Sequence, residues 1–284
     1  MLKWLFYPAV MAGAFLAYWA LLETGWPLTL AAYVTVAAFG SIILLGERAM
    51  PYRAEWRPSG RDFLLDVVYM AIVQVALPLA LVLAVQSLLQ RSGLTLSLWP
   101  TQWPTWTQVL LKIAIGDLLR YWLHRAAHTW GPLWRLHKVH HAPKKLYTTN
   151  VFRFHPAEKA LQFLCDTLPF ILLGVGPGVI SAYFVFYAMS GLFQHSNCAL
   201  RLGMLNYVVS GPEVHRWHHS QVVEESNANY AHSFVVWDLL FGTYLRPRSR
   251  SVAELGLPGR GYPQGFLGQL AAPFQRADSI RAVE

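Results

Sequence analysis

The sequence predicts an all-α integral membrane fold. It comprises about four transmembrane helices, a re-entrant or membrane-embedded helical hairpin and a cytosolic, histidine-rich helical cap. Three observations predict it. Of 284 residues, 55% are hydrophobic and only 13% charged, with a mean hydropathy of +0.32, whereas soluble domains carry about a quarter charged residues. The apolar residues come in long uncharged runs, and all eleven histidines fall at or beyond position 124. Twelve Trp and thirteen Tyr supply the amphipathic rings that gather at bilayer interfaces.

The elements follow in chain order. Residues 4–22 and 24–46 are uncharged, each long enough to cross a hydrocarbon core of about 30 Å as a helix. Lys3 ahead of the first run gives it a signal-peptide look, but no small-residue cleavage site follows, and it reads as a retained helix. A charged loop at 47–62 holds Arg48, Arg53, Arg57 and Arg61, and residues 67–89 form a third span with Pro78 as an expected kink. Residues 92–105, rich in Trp, Thr and Pro, read as interfacial. A fourth helix runs over 106–128 and carries charges within it. The uncharged stretch 167–194 is broken by Gly174, Gly176, Pro177 and Gly178; each half is short for a span, hence the hairpin.

Basic residues set the orientation. The loop 47–62, the stretch 125–159 (seven Lys or Arg against the single acid Glu158) and the C-terminus are placed on the cytoplasmic side by the positive-inside rule. The histidines then face the cytoplasm. The net charge of +8 is spread through these loops and forms no nucleic-acid-reading motif, so no nucleic-acid partner is expected. Cys165 and Cys198 lie in or beside apolar stretches and imply no disulfide framework. Three regions result: membrane helices and loops at 1–105, a histidine-rich catalytic region at 106–246, and a basic, weakly ordered tail at 247–284.

Eight histidines form three tight groups. His124 and His128 are four residues apart, on one helix face, so both can reach one metal. His137, His140 and His141 form an H-x-x-H-H group, and His215, His218 and His219 repeat its spacing. Asp117 lies seven residues before His124, about 20° from it on the helical wheel. A carboxylate there needs a partner, and the expectation is that it accepts a ring N–H from a ligating histidine; an ion pair with Arg120 or Lys112 is the alternative. Eight nitrogen ligands exceed the four of a structural zinc site, so two metals are the simplest count. An all-imidazole set suits Fe, Zn, Cu or Ni alike. His195 and His155 are further candidates, while His232 reads as structural or pocket-lining.

These groups and their flanks resemble the histidine boxes of the fatty acid hydroxylase/sterol desaturase superfamily. The flanks are Tyr121-Trp122, Phe154-His155-Pro156, Gln194-His195-Ser196-Asn197, Asn229-Tyr230 and Trp237-Asp238-Leu239-Leu240-Phe241-Gly242-Thr243. The resemblance covers about residues 110–246. It implies a non-haem di-iron centre (zinc can substitute in a purified sample) that uses O2 to hydroxylate or desaturate a lipid. Sterols, fatty acyl chains, ether lipids and carotenoids are the substrates it suggests. It also makes His195 and His155 ligands. One departure stands out: sphingolipid hydroxylases place a histidine where Gly191 stands here. No fused electron-transfer segment or Rossmann glycine fingerprint is seen, so a separate donor of ferredoxin or cytochrome b5 type, with its reductase, is expected. The competing readings are a zinc-dependent membrane hydrolase, for which Glu213 is the only nearby base, and a non-enzymatic metal-handling protein.

Overall fold

The computed structural model describes residues 1–94, 96–259 and 261–275. Among these the chain is all-helical, with isolated bridges such as Pro51 to Cys198 but no strand. Helices α1 (Leu2–Glu23) and α2 (Leu28–Ala49) form an antiparallel pair joined through Gly25, whose φ of +85° a side chain would resist. Helix α3 (Gly60–Tyr69) starts on a capping box between Ser59 and Asp62. It continues through a π turn, Met70–Ala76, into α4 (Leu77–Ser92).

The π turn is how the helix handles Pro78. In place of a break at the proline, the ladder widens just before it, and the Leu77 N–H reaches back five residues to the Ile72 carbonyl. Three helices are long and apolar enough to cross a membrane: α1, α2 and the continuous Gly60–Ser92. At 1.5 Å per residue, the 22 residues of α1 span about 33 Å. Leu16, Leu45 and Leu83 stand more than 60% exposed, and α4 buries none of its residues against the protein. Such surfaces suit lipid.

The fourth helix forms as α5 (Thr105–Thr129), but it is not one of these three. It buries Lys112, Asp117 and Arg120 among its neighbours. After α6 (Gly131–His141) come α7 (Pro156–Asp166) and the short α8 (Leu168–Leu172). A turn through Gly174, φ +84°, leads to α9 (Pro177–His195). The expected hairpin is thus very unequal. Helix α9 packs against α1, α2, α5 and α10 (Pro212–His218), and its Val185, Met189 and Phe193 are fully buried with Tyr7, Ala14 and Ile43.

Short helices α11 (Val223–Ser226), α12 (Val236–Leu240) and α13 (Phe266–Ala271) follow. Of the tail, residues 276–284 lie outside the described residues. The part before them is packed: Val252 and Leu255 bury against Trp56, Leu146 and Trp217, and Gln269 accepts from the Tyr69 hydroxyl at 2.8 Å.

Buried carboxylates tie α2 and α3 to the histidine-bearing segments. Glu47, at the end of α2, accepts from the backbone N–H of Thr148 at 2.7 Å and of Asn197 at 2.6 Å. Asp66 of α3 accepts from Thr149 and from the Arg153 guanidinium. The segments flanking the second histidine group and His195 are therefore fixed from the membrane side.

A candidate dimetal centre at the mouth of an apolar cavity

Nine of the ten histidines expected as ligands gather in two sets. His124, His128, His137, His141 and His218 form one; His140, His195, His215 and His219 form the other. Helical spacing explains the division. On α6, His137 and His141 share a face, while His140 points about 100° away from His141. The third group is used in the opposite sense: His215 and His219 join the second set, and His218 turns to the first. Each H-x-x-H-H group therefore serves both sets. The two sets touch, with the His141 and His219 rings stacked at 4.5 Å.

The geometry fits metal binding. In the first set the Nε2 of His137 lies 3.1 Å from that of His124 and 3.1 Å from that of His141. In the second, the Nε2 atoms of His215 and His219 are 3.1 Å apart, and those of His195 and His140 3.3 Å. Two nitrogens bound at right angles to one ion, each about 2.1 Å from it, lie roughly 3 Å apart. Two further nitrogens, His128 Nε2 and His218 Nε2, are buried and have no hydrogen-bond partner. A metal is the partner such orphaned nitrogens lack.

Six of the nine outward-facing ring nitrogens are held in place, while His215 Nδ1 is buried without a partner. His124 Nδ1 donates to the Tyr230 carbonyl at 2.8 Å, His218 Nδ1 to that of Ala228 at 2.7 Å, and His140 Nδ1 to that of Arg153 at 3.3 Å. His195 Nδ1 donates to Asn150 Oδ1 at 2.8 Å, His128 Nδ1 to Asn227 Oδ1 at 3.2 Å, and His137 Nδ1 to Glu158 Oε1 at 2.7 Å. With the proton on Nδ1, the Nε2 lone pair is left to face inward. Burial also keeps these rings neutral, pushing His140 down to about 3 and His218 to about 4.

Two residues, Asp117 and His155, sit elsewhere than expected, and His232 lines a pocket as expected. Asp117 meets no histidine; its Oδ2 accepts the backbone N–H groups of Ser233 and Phe234 at 3.1 and 2.9 Å. Asp117 thus anchors the segment whose Tyr230 carbonyl holds His124. Its expected rivals, Lys112 and Arg120, turn to Asp166. His155 stands outside both sets. Its Nδ1 accepts the Ala157 N–H at 3.2 Å, capping α7, and its Nε2 donates to the Leu270 carbonyl at 3.2 Å. Neither nitrogen is left for a metal. His232 is also outside both sets, stacked on Tyr187 at 4.1 Å, and its Cε1 lies 3.5 Å from where a Cβ of Gly191 would stand.

The residues missed were the hydrogen-bond acceptors. Glu158 had a readable signal, as the single acid of a strongly basic stretch. Asn150, Asn227 and the carbonyls had none, because they act through the fold and not through sequence spacing.

One space adjoins the histidines and a second, larger one adjoins it. A small pocket of about 80 Å³ is lined by His124, His137, His140, His195 and His215. A cavity of about 840 Å³ lies between α2, α3–α4, α7 and α9. Gln74, Phe152, Tyr187 and Ala188 line both and form the throat between them.

This chain is 35% identical over 246 residues to the ornithine lipid hydroxylase OlsE of Rhizobium tropici, covering 83% of this chain and 73% of that one. The family model described as fatty acid hydroxylase matches residues 109–243. The chain belongs to the fatty acid hydroxylase family. It is also 28% identical to the Delta(7)-sterol 5(6)-desaturase erg3B of Aspergillus fumigatus, over 80% of this chain and 66% of that one. Its identity to human alkylglycerol monooxygenase is 26%, over 56% of this chain and 35% of that one. It thus spans about a third of the length of that monooxygenase. No solved structure matches. As a member of the fatty acid hydroxylase family, the chain is a lipid-oxidising enzyme, and its two histidine sets lie within the matched region.

Proposed function

We propose that the two histidine sets hold two iron ions and that the enzyme hydroxylates or desaturates a membrane lipid with O2. The observation that carries this reading is that histidines of both sets line a small pocket which shares Gln74, Phe152, Tyr187 and Ala188 with a large, mainly apolar cavity. Iron so held supplies reductive activation of O2 and an oxidant able to take hydrogen from an unactivated carbon. The balance for hydroxylation is one oxygen atom into the C–H bond and the other into water, with two electrons and two protons consumed.

The protein's own contribution is placement and dryness. Phe152, Tyr187 and Ala188 confine the substrate to one approach and keep water from the reacting carbon. Backbone carbonyls, Asn150, Asn227 and Glu158 fix the imidazole orientations. The electrons come from a separate one-electron carrier of ferredoxin or cytochrome b5 type with its reductase. Residues 1–105 act as the membrane scaffold, 106–246 as the catalytic region and 247–284 as a tail. Arg and Lys in 47–62 and 125–159 favour a site facing the cytoplasm.

The hydrolase reading is disfavoured by Glu213. Its carboxylate accepts from the Leu202 N–H at 2.6 Å, Asn206 at 2.9 Å and Arg246 at 2.9 Å, and the lowered pKa of this group suits a structural anion. A polar lipid of the ornithine-lipid type is the first substrate to try, given the match to OlsE.

The test is anaerobic loading of the purified chain with Fe(II) in nanodiscs, then O2 with a reductant and candidate lipids. A product gaining one oxygen atom or losing two hydrogens, with matching O2 uptake, supports the proposal. Lipid hydrolysis without O2 uptake refutes it.

A further inference from the structure

Among the described residues, three charged ones line the large cavity: Asp66, Asp166 and Lys159. The two acids are accounted for, since Asp66 pairs with Arg153 and Asp166 with Arg120. Lys159 has no opposite charge within 4 Å among the described residues. It is half-buried on α7, and its Nζ lies 5.2 Å from the centre of the Tyr187 ring. Tyr187 lines both cavity and histidine pocket, with Arg120 5.6 Å from the same ring. The one unpaired cation of a mainly apolar chamber therefore stands at the end where oxidation takes place.

An ammonium in such surroundings is poorly compensated by a cation–π contact and by a Glu158 carboxylate that lies beyond salt-bridge distance and is itself bonded to His137. It calls for an anion, and the anion must belong to something that also fills an apolar cavity. We propose that the cavity binds a lipid bearing a carboxylate or phosphate, and that Lys159 pairs with this group at the throat. The hydrocarbon then extends away from the histidines, between α2 and α4 towards Val36, Leu79 and Val82. The oxidised carbon consequently lies close to the anionic group and not at the far end of the chain. This inference rests on the lipid-oxidation reading and adds a substrate class and a position to it.

The test uses the full chain in nanodiscs, loaded with Fe(II), and three probes. These are an N-acylated amino acid with a free carboxylate, its methyl ester, and a phosphatidic acid of equal chain length. Affinity is measured by equilibrium binding of the labelled lipid, and products are mapped by fragmentation mass spectrometry. A charge-assisted contact of this kind gives the wild type a preference for the acid over the ester of about tenfold or more. That preference collapses towards unity in Lys159→Gln and persists in Lys159→Arg, with metal content unchanged in both. The phosphatidic acid arm tells whether phosphate serves as well as carboxylate, and a Lys159-dependent preference for either anionic lipid supports the proposal. A wild type that binds acid and ester equally, a preference that survives in Lys159→Gln, or a hydroxyl placed only at the distal chain end overturns it. Lys159-dependent binding without oxidation of any lipid would instead count against the oxygenase reading alone.

Discussion

His137 and Glu158 form a buried pair in which the ring Nδ1–H donates to Oε1 at 2.7 Å. The bond fixes which nitrogen of His137 faces the other four histidines of its set. Removing such a partner commonly weakens metal binding 10- to 100-fold, by analogy with other metal sites. Glu158→Ala should therefore lose affinity by roughly that factor at the first set and leave the second unchanged. Competitive chelator titration resolves the two sites. Equal weakening of both would contradict the assignment.

His155 and His195 should behave differently, although both resemble ligands in sequence. His155→Ala removes a side chain that caps α7, a loss of about 1 kcal/mol in stability, and keeps the full metal content. His195→Ala removes one of four nitrogens from the second set and lowers metal occupancy there. Metal analysis beside thermal melting separates the outcomes. Metal loss in His155→Ala would return it to the ligands.

Asp117 predicts a structural phenotype with a delayed effect on the site. Asp117→Ala leaves the N–H groups of Ser233 and Phe234 without their acceptor, at about 1–3 kcal/mol for each buried group. Asp117→Asn keeps one carbonyl acceptor and should retain most of the stability. Melting temperature should fall in the order wild type, Asn, Ala, with metal content falling only as the His124–Tyr230 contact loosens. An Ala variant as stable as wild type would overturn this role.

Acidification should destabilise the metal-free protein in a defined window. Above about pH 6.5 the histidines are neutral whether folded or unfolded, so their burial adds no pH dependence. Below it the unfolded chain takes up protons that the folded chain refuses until about 4 at His218 and about 3 at His140. Stability contributed by these two residues is thus full above 6.5 and falls as pH drops towards 3. Calorimetry between pH 8 and 5 should show a flat melting temperature, then a decline. A rise on acidification would contradict buried neutral imidazoles.

Much of this was legible in the sequence because the carriers are local. Uncharged runs announce α1 and α2, and spacings of three and four residues announce histidine faces on α5, α6 and α10. What could not be read depends on contacts between distant segments. The splitting of each H-x-x-H-H group between two sets follows from how α6 and α10 face each other. The binding of Asp117 to Ser233 and Phe234 joins residues more than 110 positions apart, and no helical wheel of α5 contains that partner. His155 misled because Phe-His-Pro suits a ligand and a helix cap equally, and only the proximity of Leu270 decides between them. The cavity and its Lys159 arise from α2, α3–α4, α7 and α9 meeting, which residue order does not display.

Two histidine sets, of five and four residues, should hold one iron each, and counting iron checks this. The wild-type chain, loaded anaerobically with Fe(II) and freed of loosely held metal, should retain two irons. The double variant His215→Ala/His219→Ala, which removes half of the second set, should retain one while still folding and inserting. One iron or fewer in the wild type, or two in the double variant, would contradict the account.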